Sequence, residues 1–423
     1  MLTPFNRYKY YIAVLVIAFV YILLQSRFAP GDFNVYLASA DYLSHGRDIY
    51  NDRLVWKGQV TNIFSYGPAF TILMMPFALF SERIAFILFF LLQTMLLIRT
   101  FYVIERMLPI NTLAPRQRFI WLLFSVACSL RFILHNVEFG QVIILILFLT
   151  IEGLYQIFYR NKLLGSLLLG LGIHIKLLPF VFIPYLLWRK ELRWAGLSII
   201  CFVGLWFTPL AFGNMVFVKQ LFYHWCQGVN PFSDRLMQNQ EKIVFQIQGL
   251  QPLLASYLLD SKFEGLGFDA NIATLSPPAF SALLQLSRLL FVLFTLFFLR
   301  RSFFLQYPKG SIGFWQLSYL FLAITIIFPQ QQKYSLLLMT PFFCYIIWWL
   351  ITQRSNSYQP WKRILVGFIF LVLLTTFTSD LFVGMHLNYA LQCLRILSMA
   401  NILAVLLLAC AKPANNPTSI QMT

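Results

Sequence analysis

Residues 84–97 read Ile-Ala-Phe-Ile-Leu-Phe-Phe-Leu-Leu-Gln-Thr-Met-Leu-Leu, with no charge to break the run. A helix needs about 20 mostly apolar residues to cross a bilayer, and about 17 as a minimum. Runs of this kind recur from end to end, as in Tyr10–Leu24, Ile364–Phe377 and Leu394–Cys410. Over the whole chain 59% of residues are hydrophobic and 11% charged, and mean hydropathy is +0.72. A soluble chain carries about 45–50% apolar and about 25% charged residues. The composition therefore predicts an all-α, polytopic membrane protein, with one transmembrane domain over residues 1–412 and a short polar tail, 413–423, expected to be disordered. The first run is not expected to be a cleaved signal, because Gln25-Ser26-Arg27 lacks a small-x-small site.

The net charge of +17 does not point to nucleic acid. The basic residues form no single stripe; they stand at the ends of apolar runs, where the positive-inside rule places them. Five of the six cysteines lie in apolar segments and no C-x-x-C pair occurs, so neither a disulfide framework nor a zinc site is indicated.

The same charges give a topology. Arg7 and Lys9, then Arg106, Arg116 and Arg118, then Arg160 and Lys162, Arg189, Lys190 and Arg193, and finally Arg300, Arg301, Arg354, Lys362, Arg363 and Lys412 all face the cytoplasm under two assumptions. Pro68–Phe80, too short to cross, dips into the membrane and returns. Leu163–Trp188 forms two short helices broken near Lys176-Leu177-Leu178-Pro179, since proline disfavours helix at its predecessor. About twelve spans result, with both termini inside. Outside lie Ala29–Tyr66, His135–Gln141, the turn at Lys176, the long loop Gly213–Ser276, Pro329–Lys333 and Asp380–Asn388. Most of the acids then fall outside, although the rule does not count them.

The first outer loop carries the most chemistry. Phe33, Tyr36, Leu37, Ala40 and Leu43 recur at helical spacing, with Gly46 as a natural stop, which reads as an amphipathic helix on the outer membrane surface. Asp32 opens it. Its position suits a helix N-cap; it equally suits a general base held at the membrane–water boundary. Lys176 reads either as a cation facing outward at a helix break or as a snorkelling lysine. Gln141, at the start of a helix, could cap it or bind substrate. Glu152, Arg131, Arg288 and Arg395 fall within apolar segments, where charges serve function or pair within the bundle. Tyr36, Tyr50 and Tyr66 are candidates for stacking on substrate, or members of an interfacial aromatic belt. Within the long outer loop, Trp225, Phe232, Phe245 and Leu250 suggest surface-lying helices.

Gly31-Asp32-Phe33-x-Val35-Tyr36, Gly46-x-Asp48-x-Tyr50 and Tyr66-Gly67-Pro68 resemble the opening of glycosyltransferase family 87, the GT-C-class enzymes that include polyprenyl-phosphate-mannose-dependent α-mannosyltransferases. Gly140-Gln141-Val142, Gly165–Gly172, Lys176, Pro179 and Arg189-Lys190 are similar to a second block, and Asn239-Gln240 to a third. The likeness covers most of the chain in order and is strongest over residues 29–195. One departure stands out: where the family carries an outer Ser-Pro-x-Ser-Trp-x-His-His-like segment, this chain reads Phe328-Pro329-Gln330-Gln331-Gln332-Lys333-Tyr334-Ser335.

The resemblance implies a GT-C-like fold and a hexosyltransferase, using a polyprenyl-phosphate sugar, mannose by family habit. Transfer would invert the sugar onto a hydroxyl of a glycan, glycolipid or protein, at the outer side of a bacterial inner membrane. Asp32 would be the catalytic base. Lys176, with Lys333 as an alternative, would meet the phosphate, and Gln141, Tyr36, Tyr66, Asn239 and Gln240 would contact substrate. No Asp-x-Asp motif occurs, so no metal or other cofactor is expected. The competing readings are a lipid-linked-sugar flippase and a polysaccharide polymerase or ligase. A transporter of that kind is commonly built from internal repeats around a midplane site, and no repeat is visible here.

Overall fold

The computed structural model describes residues 32–50, 53–229, 246–259, 270–300, 305–328, 331–354 and 359–413. The first apolar run, Asn239, Gln240, Phe232, Phe245 and the tail beyond Pro413 lie outside the described residues. The chain is helical nearly throughout. In order come α1 (Phe33–Ser44), the strands β1 (Val55–Trp56) and β2 (Gln59–Val60), α2 (Pro68–Ala78), α3 (Glu82–Met107), α4 (Pro115–Glu138), α5 (Ile143–Tyr159), α6 (Lys162–Ile175), α7 (Phe182–Trp188) and α8 (Leu192–Gly204). Then follow α9 (Met215–Val229), β3 (Ile247–Gln248), α10 (Leu250–Leu258), α11 (Pro277–Leu299), α12 (Ser311–Ile327), β4 (Gln331–Gln332), α13 (Thr340–Gln353), α14 (Gln359–Thr375), α15 (Asp380–Cys393) and α16 (Ile396–Cys410). Short 3₁₀ turns at Leu178–Val181, Leu205–Ala211 and Lys333–Met339 lead into or extend their neighbours.

Among the described residues five helical stretches are long and apolar enough to cross a membrane, and six if the bent pair α14–α15, angled by 78°, counts as one span. Six shorter apolar helices of 10–17 residues accompany them; the expected count of about twelve spans needs those other than α2 to cross as well, and the long helices alone do not establish it. α2 is one of them: its 11 residues rise about 17 Å, half of the roughly 30 Å core. The predicted break in Leu163–Trp188 is present. α6 stops at Ile175, Lys176 is extended (φ −150°, ψ 129°), and the 3₁₀ turn carrying Pro179 leads into α7.

Among the described residues two large packed cores result, beside two small ones. One joins α3 to α7 with α12, α13 and α16. The other is built by α1, α2, the loop between them, the start of α5, Trp206 and α9. α1 is not the surface helix expected from its spacing. Phe33, Val35, Tyr36, Leu37, Ala38, Ser39, Ala40 and Leu43 are all buried, because the small residues at 38–40 let neighbours close over the face that would otherwise meet water. α9 fills the surface role instead, with Val218, Leu221 and Trp225 buried along one stripe and most of the rest exposed.

The charges within apolar segments are largely structural. Arg99 reaches Glu152 with two bonds of 2.8 and 2.9 Å, and Gln156 adds a third at 2.7 Å. Arg131 donates to the Thr375 carbonyl at 2.7 Å and the Thr378 hydroxyl at 2.8 Å. Arg395, with a left-handed backbone, holds the Ser256 hydroxyl and the Ile247 carbonyl. It thereby anchors β3, which pairs antiparallel with β4 and so ties residues 247–248 to Gln331-Gln332.

Candidate active site

Asp32 stands at the head of α1 with a backbone that is already helical (φ −81°, ψ −6°) and no side-chain capping bond. An N-cap needs an extended backbone to turn its oxygen onto the helix amides, so the carboxylate is free to face elsewhere. Its Oδ1 accepts from Asn62 Nδ2 at 2.6 Å and its Oδ2 from Gln141 Nε2 at 2.5 Å. Its N–H donates to the Phe139 carbonyl at 3.1 Å. The carboxylate is thus oriented by two amides from remote parts of the chain, rather than by its own helix.

Two glycines permit these approaches. Gly140 has φ +61°, and a Cβ there would lie 2.7 Å from Phe33 Cβ. Gly67 meets the end of α6, where a Cβ would lie 2.1 Å from the His174 carbonyl oxygen. Around Gly67, His174 Nε2 accepts from the Ala69 N–H at 3.2 Å while Nδ1 lies 3.1 Å from the Phe202 carbonyl. His174 is therefore a structural, neutral imidazole.

Lys176 caps the end of α6, and its ammonium sits 5.7 Å from the ring centroids of both Tyr66 and Tyr334. Among the described residues it makes no ion pair within 4 Å. Burial lowers its pKa from 10.5 to about 8, and the nearby Asp32 carboxylate works in the opposite direction. Tyr36 and Tyr66 are buried, with their hydroxyls 3.2 Å apart. Burial raises both phenols, and Asp32 raises them further. A second layer holds Tyr66: the Tyr50 hydroxyl donates to its carbonyl at 2.7 Å, Asp48 Oδ1 accepts from the Tyr50 N–H at 2.8 Å, and Asp48 Oδ2 meets His224 Nδ1 of α9 at 2.5 Å. Trp225 of α9 also donates to the Ser65 carbonyl at 3.2 Å.

The structure thus brings Asp32, Gln141, Lys176, Tyr36 and Tyr66 into one neighbourhood. Lys333 belongs to a different one. It lies within electrostatic reach of Arg131, Asp380 and Glu138, while the next residue, Tyr334, turns toward Lys176. Adjacent residues entering a 3₁₀ turn point in different directions, so Lys333 is not grouped with Asp32 and Lys176. His135 and Glu138 form a pair at 3.7 Å in that second cluster. Among the described residues no group of three His, Cys, Asp or Glu side chains could hold a metal ion.

The profile of glycosyltransferase family 87 matches residues 64–329, more than half of the chain. The chain belongs to glycosyltransferase family 87. It is also 29% identical over 183 residues to a polyprenol-phosphate-mannose-dependent α-(1-2)-phosphatidylinositol mannoside mannosyltransferase of Mycobacterium tuberculosis. That similarity covers 40% of this chain and 42% of the relative, so the chain spans about two fifths of the curated relative it matches. No solved structure matches it. Among its described residues this family 87 chain carries five helical stretches long and apolar enough to cross a membrane. Two residues of its candidate site escaped the sequence reading. Asn62 gave no signal, being one polar residue in an irregular loop. Tyr334 stands within the segment whose departure from the family pattern was visible.

Proposed function

We propose that the protein transfers a hexose, mannose being the reading its relative favours, from a polyprenyl-phosphate carrier to an acceptor hydroxyl at the outer face of a bacterial inner membrane. The observation that carries the proposal is the Asp32 carboxylate, turned away from its own helix and fixed by Asn62 and Gln141. A carboxylate held by two N–H donors keeps lone pairs free for a third partner. Asp32 takes the proton of the acceptor hydroxyl as its oxygen bonds to the anomeric carbon. The bond from that carbon to the carrier phosphate breaks, its electron pair stays on the phosphate oxygen, and the configuration inverts. Lys176, held between two tyrosine rings, faces the charge that develops on the leaving phosphate, where a fixed cation in a water-poor site has its largest effect. The acceptor class favoured is a glycolipid, on the strength of the relative's name; lipid on both sides of the reaction suits a site embedded in the membrane.

The test is purified protein in lipid, supplied with polyprenyl-phosphate mannose and a glycolipid acceptor, beside Asp32→Asn. The variant keeps shape and a bond to one amide but has lost the base. Its kcat should fall by about 10²–10⁴, the usual contribution of a positioned base. Equal turnover by both proteins removes Asp32 from this role.

A further inference from the structure

A cavity lies at the other end of the bundle from Asp32. Its volume is about 490 Å³, within the roughly 300–1,000 Å³ of ligand pockets. Four chain segments end around it: Arg189 closes α7, Arg300 closes α11, Ile312 opens α12 and Lys412 follows α16. Lys176 stands just before the segment that runs through α7 to Arg189, so this cavity and the candidate active site are at opposite ends of that segment.

The lining has a definite chemistry. Among the described lining residues, Arg189, Arg300 and Lys412 supply three cations, Gln306 and Gln316 two amides, and no acid takes part. Arg189 forms the floor. It is 1% exposed, lies over the Tyr185 ring at 5.1 Å, and donates to Gln316 Oε1. Arg300 stands at the rim, 3.9 Å from the Phe297 ring centroid, and Lys412 is likewise exposed. The positive-inside rule accounts for cations at this end. It does not account for three of them converging, with two amides, on one concave site.

The apolar wall completes the picture. Phe298 and Trp315 stack at 4.1 Å, and α11 continues outward as a ridge with Leu293, Leu296 and Phe297 exposed. Only 11% of the α11 span is buried. A ligand whose head is anionic and whose tails are hydrocarbon would satisfy both halves at once. We infer that this cavity binds the phosphate headgroup of an anionic glycerophospholipid of the cytoplasmic leaflet, with its acyl chains laid along α11. Basic pockets between helices at that boundary are suited to such headgroups. The inference stands independently of the sugar-transfer reading, which concerns the opposite end.

The experiment uses the full chain in nanodiscs of phosphatidylcholine, with or without phosphatidylglycerol, and counts lipids retained by native mass spectrometry after mild release. The comparison is the double variant Arg300→Gln with Lys412→Gln; both side chains are exposed, and an unchanged melting midpoint confirms the fold. Wild type should retain phosphatidylglycerol in preference to phosphatidylcholine. The variant should lose that preference by at least about tenfold, as expected for removing charge-assisted contacts. Equal retention of the two lipids, or unchanged retention by the variant, overturns the inference. Displacement of the lipid by inorganic phosphate alone also overturns it, since the site would then read the anion and not the lipid.

Discussion

At the scale of single residues, Lys176 makes a sharp prediction. Its pKa is lowered to about 8, first by burial. Below pH 8 it carries the charge that a leaving phosphate needs; as pH rises through 8 that charge is lost. The value of kcat should therefore fall above about pH 8, and Lys176→Met should both remove this limb and lower kcat by roughly 10²–10³ at neutral pH, the magnitude found on deleting one donor to a developing anion. A profile whose basic limb is the same in Lys176→Met would place the titration elsewhere. The unfolded lysine keeps its proton up to 10.5, so between about 8 and 10.5 the unfolded chain binds more protons and the stability cost of burying Lys176 shrinks with rising pH. The residues themselves were legible before the structure: Asp32, Gln141 and Lys176 stand in recognisable motifs. What the sequence left open was which way Asp32 points, because that depends on a backbone angle at one position. Asn62 was not legible at all, since a tertiary contact alone gives it meaning.

At the scale of elements, the site depends on how closely α5 and α6 cross. Gly153 and Gly165 face each other there, and a Cβ on Gly165 would lie 2.5 Å from the Gly153 carbonyl oxygen and 2.7 Å from the Ile157 nitrogen. Both are backbone atoms and cannot yield without moving a helix. Small residues at such crossings are what allow membrane helices to approach. Replacing a helical glycine by alanine normally gains about 0.5–1 kcal/mol. At Gly165 the overpacking, about 1–3 kcal/mol, should win. Gly165→Ala is therefore expected to lower the melting midpoint and, because α6 ends at Lys176, to lower activity as well. Gly196, in α8 with nothing within 4 Å of its Cβ position, is the contrast: Gly196→Ala should leave activity intact and raise the midpoint. A rise in both variants would mean that the α5–α6 contact is looser than these distances require. The break at Lys176 and the shortness of α2 were readable because proline and segment length act locally. The burial of α1 was not, since apolar spacing shows one buried face and is silent about what covers the other.

At the scale of the whole molecule, helix lengths and charge placement together set where the chemistry happens. α6 has 14 residues and rises about 21 Å, against a hydrocarbon core of about 30 Å. If its basic start at Lys162 marks the cytoplasmic boundary, Lys176 lies toward the outer side of the bilayer. The β1–β2 hairpin and Asn62 then rise above it on the outer side, while the α5–α6 turn at Arg160 and Asn161 stays inside. This orientation is open to direct measurement in a background where the exposed cysteines 226 and 410 are serine. Lys57→Cys, at the exposed hairpin turn, should label with an impermeant maleimide on intact spheroplasts. Asn161→Cys, exposed at the opposite end, should label only once the membrane is opened. Labelling of both from one side would mean that the half-length helices do not carry the chain across, and a carboxylate and a cation recruited from α1 and α6 could not then share an outward-facing site.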